Sequence, residues 1–458
     1  MSRSAFAPGP PPLAGLRGMT PRRDLAHVPA FLEATARRYG PVSSWRAGRA
    51  RMWLLDDPAL IEQLLLASGY DVIKSRGLQR MRRLLGEGLL TANEPLHLRQ
   101  RRLVQPAFHR ERIAGYARTM VDAAVELAGR LRDGEVVAID RLMHRLTLRI
   151  AAATLFSADV EDDADTIGQA VTEAMEVFPS ALGPFGELLD LIPFHPATRR
   201  FRQARARLDA VVFRLIDARR AEGRDRGDLL SILLAARDES DRPMPAGQVR
   251  DEALTLLLAG HETTANALTW AWDALTRKPE AEARLHAELD AVLGERDPVP
   301  DDAGRLPFAR DVIAETMRLR PPAWILGRRV VRPIRLGGWE PAAGNIVLAS
   351  QYVTHRNPAY WRDPLAFRPE RWSNGETAAL PRCAYFPFGG GNRVCIGEGF
   401  AWTEAVLILA TLARRFRFHP LDPTPVPIDP LVTLRPGRSI AMRVEARAPA
   451  PAGDVIGV

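Results

Sequence analysis

The segment FGGGNRVCIG, residues 388–397, places a cysteine inside a glycine-rich turn. Glycines on both sides of Cys395 let the backbone approach a flat ligand and adopt turns that are closed to other residues. Backbone amides directed at the sulfur, together with the N-terminus of a helix expected from Gly399, would stabilise a thiolate. A lone cysteine is more often a buried structural residue, but this spacing predicts a thiolate that can hold an iron.

The chain of 458 residues is 46% hydrophobic and 26% charged, which is ordinary globular composition. Its two cysteines, Cys383 and Cys395, are too few for a disulfide framework. Cys383 lacks glycine-rich surroundings, and we expect it to be structural. Residues 1–23 contain no apolar signal-peptide core, and the apolar run 253–259 is far shorter than the roughly 20 residues of a membrane span. These features predict a soluble cytoplasmic protein without a transmembrane anchor.

The net charge is +8, and arginine supplies nearly all the positive charge because Lys74 and Lys278 are the only lysines. The arginines are scattered along the chain without a helix-turn-helix, zinc-finger or RNA-binding signature, so we expect no nucleic-acid partner. An acidic protein partner is one interpretation of this charge. A compositional bias from a GC-rich genome is the other, and both stay open.

Three further motifs accompany the cysteine segment in chain order. Residues 259–264 read AGHETT, residues 315–318 read ETMR, and residues 369–372 read PERW. The spacing F-x-x-G-x-R-x-C-x-G is met at Phe388, Gly391, Arg393, Cys395 and Gly397. Together the four motifs resemble the cytochrome P-450 family of haem-thiolate monooxygenases, with tryptophan in the PERW segment where phenylalanine is commoner. The resemblance extends over about residues 39–444.

The resemblance implies a mainly α fold, a helical triangular prism with a minor β region. We expect residues 1–25, rich in Pro, Gly and Arg, to be flexible and residues 26–458 to form a single domain. Hydrophobic periodicity predicts a long helix after Pro245 and helical structure over residues 204–237. Two short strands around Gly48 carry a hairpin signal.

The family resemblance also implies haem b, iron protoporphyrin IX, with Cys395 as the axial ligand of the iron. His97 and Arg101 match the family's propionate-binding H-x-x-x-R pattern on a helix that begins after Pro95. Arg393 is a third candidate and Arg328 a fourth. The neighbouring Arg329 leaves open which of these two adjacent arginines occupies the family position. The predicted cofactor-binding residues are His97, Arg101, Arg328, Phe388, Arg393, Cys395 and Gly397.

Glu262 and Thr263 place a carboxyl and a hydroxyl group in an otherwise apolar helix. A buried carboxylate is costly there, and Thr263 can bond back to the Ala259 carbonyl and loosen the helix locally. The resemblance implies that both residues are catalytic and deliver protons to dioxygen. The alternative is a plain back-bond beside a surface glutamate.

Glu315 and Arg318 lie one helical turn apart on the same face. The resemblance implies that they form a buried charge network with Arg371 that supports the cysteine loop, and such a network must be complete because an orphaned buried charge is costly. A solvated pair with little effect on stability is the alternative.

The resemblance implies a set of substrate-facing positions that are mostly apolar in this chain, which predicts a lipophilic small molecule such as a fatty acid or a terpene. The candidate pocket residues are Met81, Leu85, Leu89, Phe178, Leu256, Ala259, Trp324 and Val432. Their alternative role is core packing. Residues 178–196 are rich in proline and apolar side chains, so we expect a connection between helices that either covers a ligand entrance or packs as a plain loop.

The chain shows no flavin or iron–sulfur segment, so we expect electrons from a separate ferredoxin or flavodoxin with its reductase. The arginines that the resemblance places near the thiolate face are Arg99, Arg101, Arg102, Arg110, Arg112 and Arg382. The activity implied is oxidation of a lipophilic small molecule with dioxygen. Two alternatives stay open: a peroxide-dependent haem-thiolate enzyme, and a non-catalytic haem sensor or electron carrier.

Overall fold

A computed structural model describes residues 7–10, 27–47, 50–181, 195–237 and 241–447, without the side chains of residues 177–181. The α-helices are α1 (Val28–Tyr39), α2 (Pro58–Leu66), α3 (Arg76–Arg80), α4 (Arg82–Leu85), α5 (Leu96–Val104), α6 (Arg110–Arg130), α7 (Ile139–Phe156), α8 (Ala164–Ala181), α9 (Pro196–Glu222), α10 (Leu229–Ala235), α11 (Ala246–Thr276), α12 (Pro279–Leu293), α13 (Pro307–Leu319), α14 (Gln351–Thr354) and α15 (Glu398–Arg415). The prediction of a mainly α fold is confirmed.

Short strands form the minor β region. They are β1 (Val42–Ala47), β2 (Ala50–Leu55), β3 (Val72–Lys74), β4 (Val136–Ala138), β5 (Leu326–Val330), β6 (Ile346–Ala349), β7 (Phe416–Pro420), β8 (Ile428–Pro430), β9 (Leu434–Pro436) and β10 (Ala441–Ala446). The largest sheet has the order β1-β2-β6-β5-β3, and smaller sheets have the orders β4-β10-β7 and β8-β9. The predicted hairpin is confirmed, because β1 and β2 pair antiparallel from Val42 opposite Leu55 to Ala47 opposite Ala50.

The central helix α11 runs through the main hydrophobic core and packs against α7, α9, α13 and α15. It begins directly after Pro245, whose missing N–H is tolerated at a helix start. Most of its side chains are buried around the whole circumference, which is the pattern of an internal helix rather than a surface one. Functional groups on α11 are therefore held by packing on several sides.

The helical structure expected over residues 204–237 is divided between helices α9 and α10, which are separated by residues 223–228. Helix α9 ends at Gly223, which adopts a left-handed conformation with φ 64° and donates its N–H to the Arg219 carbonyl. Helix α10 starts again after Asp228, whose side chain accepts from the Ser231 N–H. Gly223 is the local stop signal within this amphipathic, arginine-rich stretch.

The expected connection over residues 178–196 begins later than predicted, because helix α8 extends to Ala181. Residues 182–194 lie outside the described ranges, so their role at a ligand entrance stays a prediction. The division into a flexible segment 1–25 and a domain 26–458 also stays a prediction. Across the ranges that the structure describes, no helix is both long and apolar enough to cross a membrane.

Candidate active site

The cysteine loop, residues 388–397, is held by a close backbone approach to helix α2. Gly391 has φ +62°, and a Cβ built on it would lie 2.1 Å from the Leu65 carbonyl oxygen, so this position requires glycine. The Cys395 N–H donates to the Phe388 carbonyl at 3.0 Å and closes the loop. The Phe388 ring packs beside Trp402 of helix α15, with 5.8 Å between the ring centroids.

The Cys395 side chain is solvent-accessible. Surrounding protein nevertheless desolvates the thiol and raises its pKa to about 11, although a hydrogen bond from the Gly397 backbone opposes this shift. Accessibility and desolvation coexist where a side chain lines a recess inside the molecule rather than its outer surface. Because a bound cation deprotonates a coordinating thiol, this environment suits a cysteine that becomes a thiolate only when it holds a metal.

Arg101 supports the cysteine loop directly. Its Nη1 donates to the Val394 carbonyl at 2.7 Å, and the side chain is half-buried. Helix α5 places Arg101 and the buried His97 one turn apart, as the sequence predicts. Helix α5 is therefore tied to the residue immediately before Cys395.

A cluster of buried cations lies next to this loop. Lys74 and Arg328 are directly opposite each other on the antiparallel strands β3 and β5, and both are buried. Burial, Arg328 and Arg393 lower the pKa of Lys74 well below its usual value. Burial and Arg393 lower the pKa of Arg328 to about 10. The alternation of β5 also decides the register that the sequence left open, because Arg328 is the buried residue and Arg329 is more exposed.

Among the described residues, neither Lys74 nor Arg328 has a carboxylate within ion-pairing distance. Like charges directly opposite each other destabilise a strand pair, and buried charges are normally paired. The arrangement therefore fits an anionic ligand, and the two propionates of haem would supply that charge. Sequence reasoning missed Lys74, whose only signal was being one of two lysines in the chain.

Glu94 is a second residue that sequence reasoning missed. Its Oε1 accepts from His97 Nδ1 at 2.9 Å and forms an ion pair with Arg393 Nη2 at 3.2 Å. Its Oε2 accepts from the Leu98 N–H at 3.0 Å. Two predicted propionate-binding residues are thus held by one carboxylate, which helps to line a cavity with Lys74 and Arg328.

Helix α11 has an open stretch in the middle of its buried length. Ala259 is exposed and Thr263 half-exposed, while Leu258 and Glu262 beside them are buried. The Thr263 hydroxyl donates to the Ala259 carbonyl at 2.7 Å, as the sequence predicts. This bond occupies one lone pair of a helical carbonyl and leaves the hydroxyl oxygen on the open side of the helix.

Glu262 faces a different environment, which excludes the surface-glutamate alternative. Thr433 Oγ1 donates to Glu262 Oε1 at 2.6 Å, and Arg435 Nε lies 3.4 Å from the same oxygen. Asn266 in turn donates to Thr433 at 3.3 Å. Thr433 and Arg435, near the C-terminal strands, were not singled out as partners of Glu262 because no local pattern links positions so far apart in sequence.

Glu315, Arg318 and Arg371 lie in a fully buried network. Arg318 contacts both carboxylate oxygens of Glu315 at 2.9 and 2.8 Å, and Arg371 Nε donates to Oε1 at 3.0 Å. Trp372 Nε1 donates to Oε2 at 3.1 Å, so the tryptophan of the PERW segment joins the network. The alternative of a solvated surface pair is excluded by this burial.

The candidate pocket residues do not all come together. Met81, Leu85, Leu89 and Leu256 belong to the main core, and Val432 packs against it. Trp324 belongs to a separate cluster around Trp45 and Tyr352, and its Nε1 donates to the Leu431 carbonyl. The side chain of Phe178 lies outside the described residues.

The arginines predicted to meet an acidic partner differ in exposure. Arg99, Arg102, Arg110 and Arg112 are exposed on helices α5 and α6. Arg382 is exposed as well, but it pairs with Glu62 at 3.1 Å. Arg101 is not part of this surface, because its guanidinium is committed to the cysteine loop.

Comparison with known proteins identifies the family. The family model described as Cytochrome P-450 matches residues 8–442. Cyclooctatin synthase of Streptomyces melanosporofaciens is 40% identical over 95% of this chain and 94% of its own length. Cyclooctat-9-en-7-ol 5-monooxygenase of the same organism is 37% identical, over 91% of this chain and 90% of its own. Pentalenene oxygenase of Streptomyces avermitilis is 34% identical, over 98% and 100%. The chain therefore belongs to the cytochrome P-450 family of haem-containing monooxygenases.

Proposed function

We propose that this monooxygenase inserts one oxygen atom of dioxygen into a largely hydrocarbon, terpene-type substrate. Two of the similar proteins carry substrate names, one that of an alkene and the other that of an unsaturated alcohol. The candidate pocket residues are apolar, which agrees with a substrate of that kind. The observation that carries the assignment of the site is the accessible Cys395 thiol next to the buried Lys74 and Arg328, neither of which pairs with a carboxylate among the described residues.

Haem b is the cofactor that these residues would hold, and when bound it supplies the activation of dioxygen. Cys395 would coordinate the iron as a thiolate, supported by the Gly397 backbone and by Arg101 through Val394. The predicted propionate-binding set then gains Lys74 beside His97, Arg328 and Arg393. Arg101 would act mainly through the loop, because its Nη1 already donates to a carbonyl.

Proton delivery falls to Glu262 and Thr263 in this proposal. Thr263 presents a hydroxyl on the open side of helix α11. Its single O–H now donates to the Ala259 carbonyl, so it would accept from a ligand in this state and would donate to an oxygen-bearing ligand only after releasing that bond. Glu262 is held by Thr433 and Arg435 and can reach Thr263 only by rotating or through water. Keeping the carboxylate bonded away from the open stretch limits proton leakage before a substrate is in place.

Electrons would come from an acidic ferredoxin or flavodoxin that docks on the arginines of helices α5 and α6. Helix α5 bonds to the cysteine loop through Arg101 and helix α6 packs against helix α15, so this surface lies close to Cys395. We place the reaction in the cytoplasm, where the free thiols Cys383 and Cys395 stay reduced.

Product analysis with a surrogate ferredoxin and its reductase tests the proposal. We expect cyclic terpene hydrocarbons to shift the Soret band of the ferric protein and to yield products one oxygen atom heavier, whereas a fatty acid of similar carbon number does neither. The carbon-monoxide complex should absorb as a thiolate adduct in the wild type but not in Cys395→Ser. A response to fatty acids alone would overturn the substrate class, and faster turnover with peroxide alone would overturn the electron-partner requirement.

A further inference from the structure

Glu94 occupies a central position among the residues proposed to bind the propionates. Its side chain is 11% exposed, and it contacts His97 and Arg393, whose side chains are 4% and 9% exposed. Gly69 leaves room for it, since a Cβ at that position would lie 2.4 Å from Glu94 Cγ. The surroundings thus enclose this carboxylate closely.

The contact with Glu94 fixes the tautomer of His97. A carboxylate oxygen only accepts hydrogen bonds, so the hydrogen at the 2.9 Å contact belongs to His97 Nδ1. A neutral imidazole carries one N–H, and Nε2 is then a lone-pair acceptor. Such an imidazole cannot donate to a propionate through Nε2.

A second proton on the ring removes this conflict. We propose that Glu94 is a positioning residue that makes His97 take up one proton when haem binds, so that His97 holds a propionate as an imidazolium donating from both nitrogens. This inference rests on the proposed haem site. The proton comes from solvent and goes to Nε2, and both carboxylates keep their negative charge.

The charges that face His97 support this change of protonation on ligand binding. Burial first, and then Arg393, lower the pKa of His97 to about 4, with Lys74 acting in the same direction and Glu94 opposing them. The ring is therefore neutral near pH 7 before a second anion is present. A propionate beside Arg393, Lys74 and the adjacent Arg328 neutralises the charges that disfavour the imidazolium.

Haem transfer from the loaded protein to excess apomyoglobin, followed in the Soret band, tests the inference. The pKa of His97 is higher in the haem complex than in the haem-free protein, so the extra affinity is present at low pH and lost as pH rises through the pKa of the complex. In Glu94→Gln the amide can accept or donate, and His97 can bind the propionate while neutral. The ratio of the variant's haem-loss rate to that of the wild type should therefore fall with pH, by up to about tenfold per unit between pH 6 and pH 8.

Taking this ratio cancels the pH dependence that comes from Cys395, because its thiol releases a proton to solvent on binding the iron in both proteins. Glu87→Gln is the matched control, since Glu87 is half-exposed and pairs with Arg82 on the surface; it should keep the wild-type profile. His97→Asn should show the same pH dependence as Glu94→Gln. If one of these two variants does not fold, the other still tests the inference. A ratio independent of pH would overturn the inference but leave the haem site intact. Failure of the wild type to retain haem would instead overturn the proposed function.

Discussion

Glu262 and Thr263 are adjacent in the chain but face different surroundings, because successive helical residues point about 100° apart. Thr263 lies on the open side of helix α11, whereas Glu262 is covered by Thr433 and Arg435. Within the described ranges, no hydrogen bond joins the two side chains directly. An acid and an alcohol that are neighbours in sequence therefore have separate supporting contacts, which can be changed one at a time.

Thr263→Ala removes the hydroxyl but keeps the helix. We expect reductant consumption to continue while product per electron pair falls by roughly tenfold or more, the scale of a lost general acid–base group. Peroxide should appear in place of product. Thr263→Ser keeps the hydroxyl and should retain most of the coupling, so equal coupling in Thr263→Ala and the wild type would contradict the assigned role.

Arg435→Met removes the cation beside the buried Glu262 carboxylate. We expect the free energy of unfolding to fall by roughly 3 kcal/mol, because an unpaired buried charge is left behind. Glu262→Gln in the same chain should recover part of this loss, since the amide has no charge to pair. Urea denaturation of the two single variants and the double variant measures the coupling. Strict additivity would show that the 3.4 Å contact carries no interaction energy.

At the scale of elements, helices α5 and α6 connect the outer surface with the cysteine loop. Helix α5 presents Arg99 and Arg102 to solvent and turns Arg101 inward to the Val394 carbonyl. Helix α6 packs against helix α15, which begins three residues after Cys395. One pair of helices thus carries both the candidate docking charges and the support of the candidate iron ligand.

Charge reversal on these helices tests the docking surface. In the variant with Arg102→Glu and Arg112→Glu, we expect the rate of reduction by an acidic ferredoxin at low salt to fall about tenfold or more and to lose most of its salt dependence. Arg200→Glu is the control, because Arg200 is an exposed arginine on helix α9, away from helices α5 and α6. Salt dependence that stays at the wild-type level in the double variant would rule out this surface.

At the scale of the whole molecule, buried ionisable groups shape how stability depends on pH. Burial raises the pKa values of three carboxyl groups, Asp56 to about 6, Glu252 to about 7 and Glu404 to about 8. Burial lowers those of three histidines, His97 to about 4, His286 to about 3 and His355 to about 3. The native state therefore holds protons on the acids, and keeps histidines neutral, where the unfolded chain does not.

The signs of these shifts predict a stability maximum in mildly acidic solution. The histidine contribution is lost as pH falls from about 6.5 towards 3, because the unfolded chain then binds more protons. The carboxyl contribution is lost as pH rises from about 4.5 towards 8, because the native state must release protons from buried sites. We expect unfolding free energy to fall between about pH 6.5 and pH 8.

Glu404→Gln tests the alkaline side of this profile, because the amide fills the same buried site without a proton to lose. Its unfolding free energy should fall less steeply between about pH 6.5 and pH 8 than that of the wild type, in urea titrations at matched pH. Glu398→Gln, on a more exposed residue of the same helix, should follow the wild-type slope. Parallel slopes for wild type and Glu404→Gln would contradict the prediction.

The sequence alone determined the family, the central helix and the candidate iron ligand. These features depend on patterns within a few residues: a glycine turn around Cys395, a proline before helix α11, and Glu315 with Arg318 one turn apart. Local backbone geometry depends on residues that are close together in the chain, so patterns along the sequence can predict it. The stop at Gly223 is also local, but a single glycine is a weak signal within a long amphipathic pattern.

Only the tertiary structure decided which polar groups meet. Lys74 stands opposite Arg328 because strands β3 and β5 pair, and Thr433 covers Glu262 across 171 positions of sequence. Glu94 is close to His97 in sequence, yet its contact with Arg393 exists only because helix α5 packs on the cysteine loop. A buried charge needs a partner, but no sequence period records where that partner lies, since packing of distant elements brings it there.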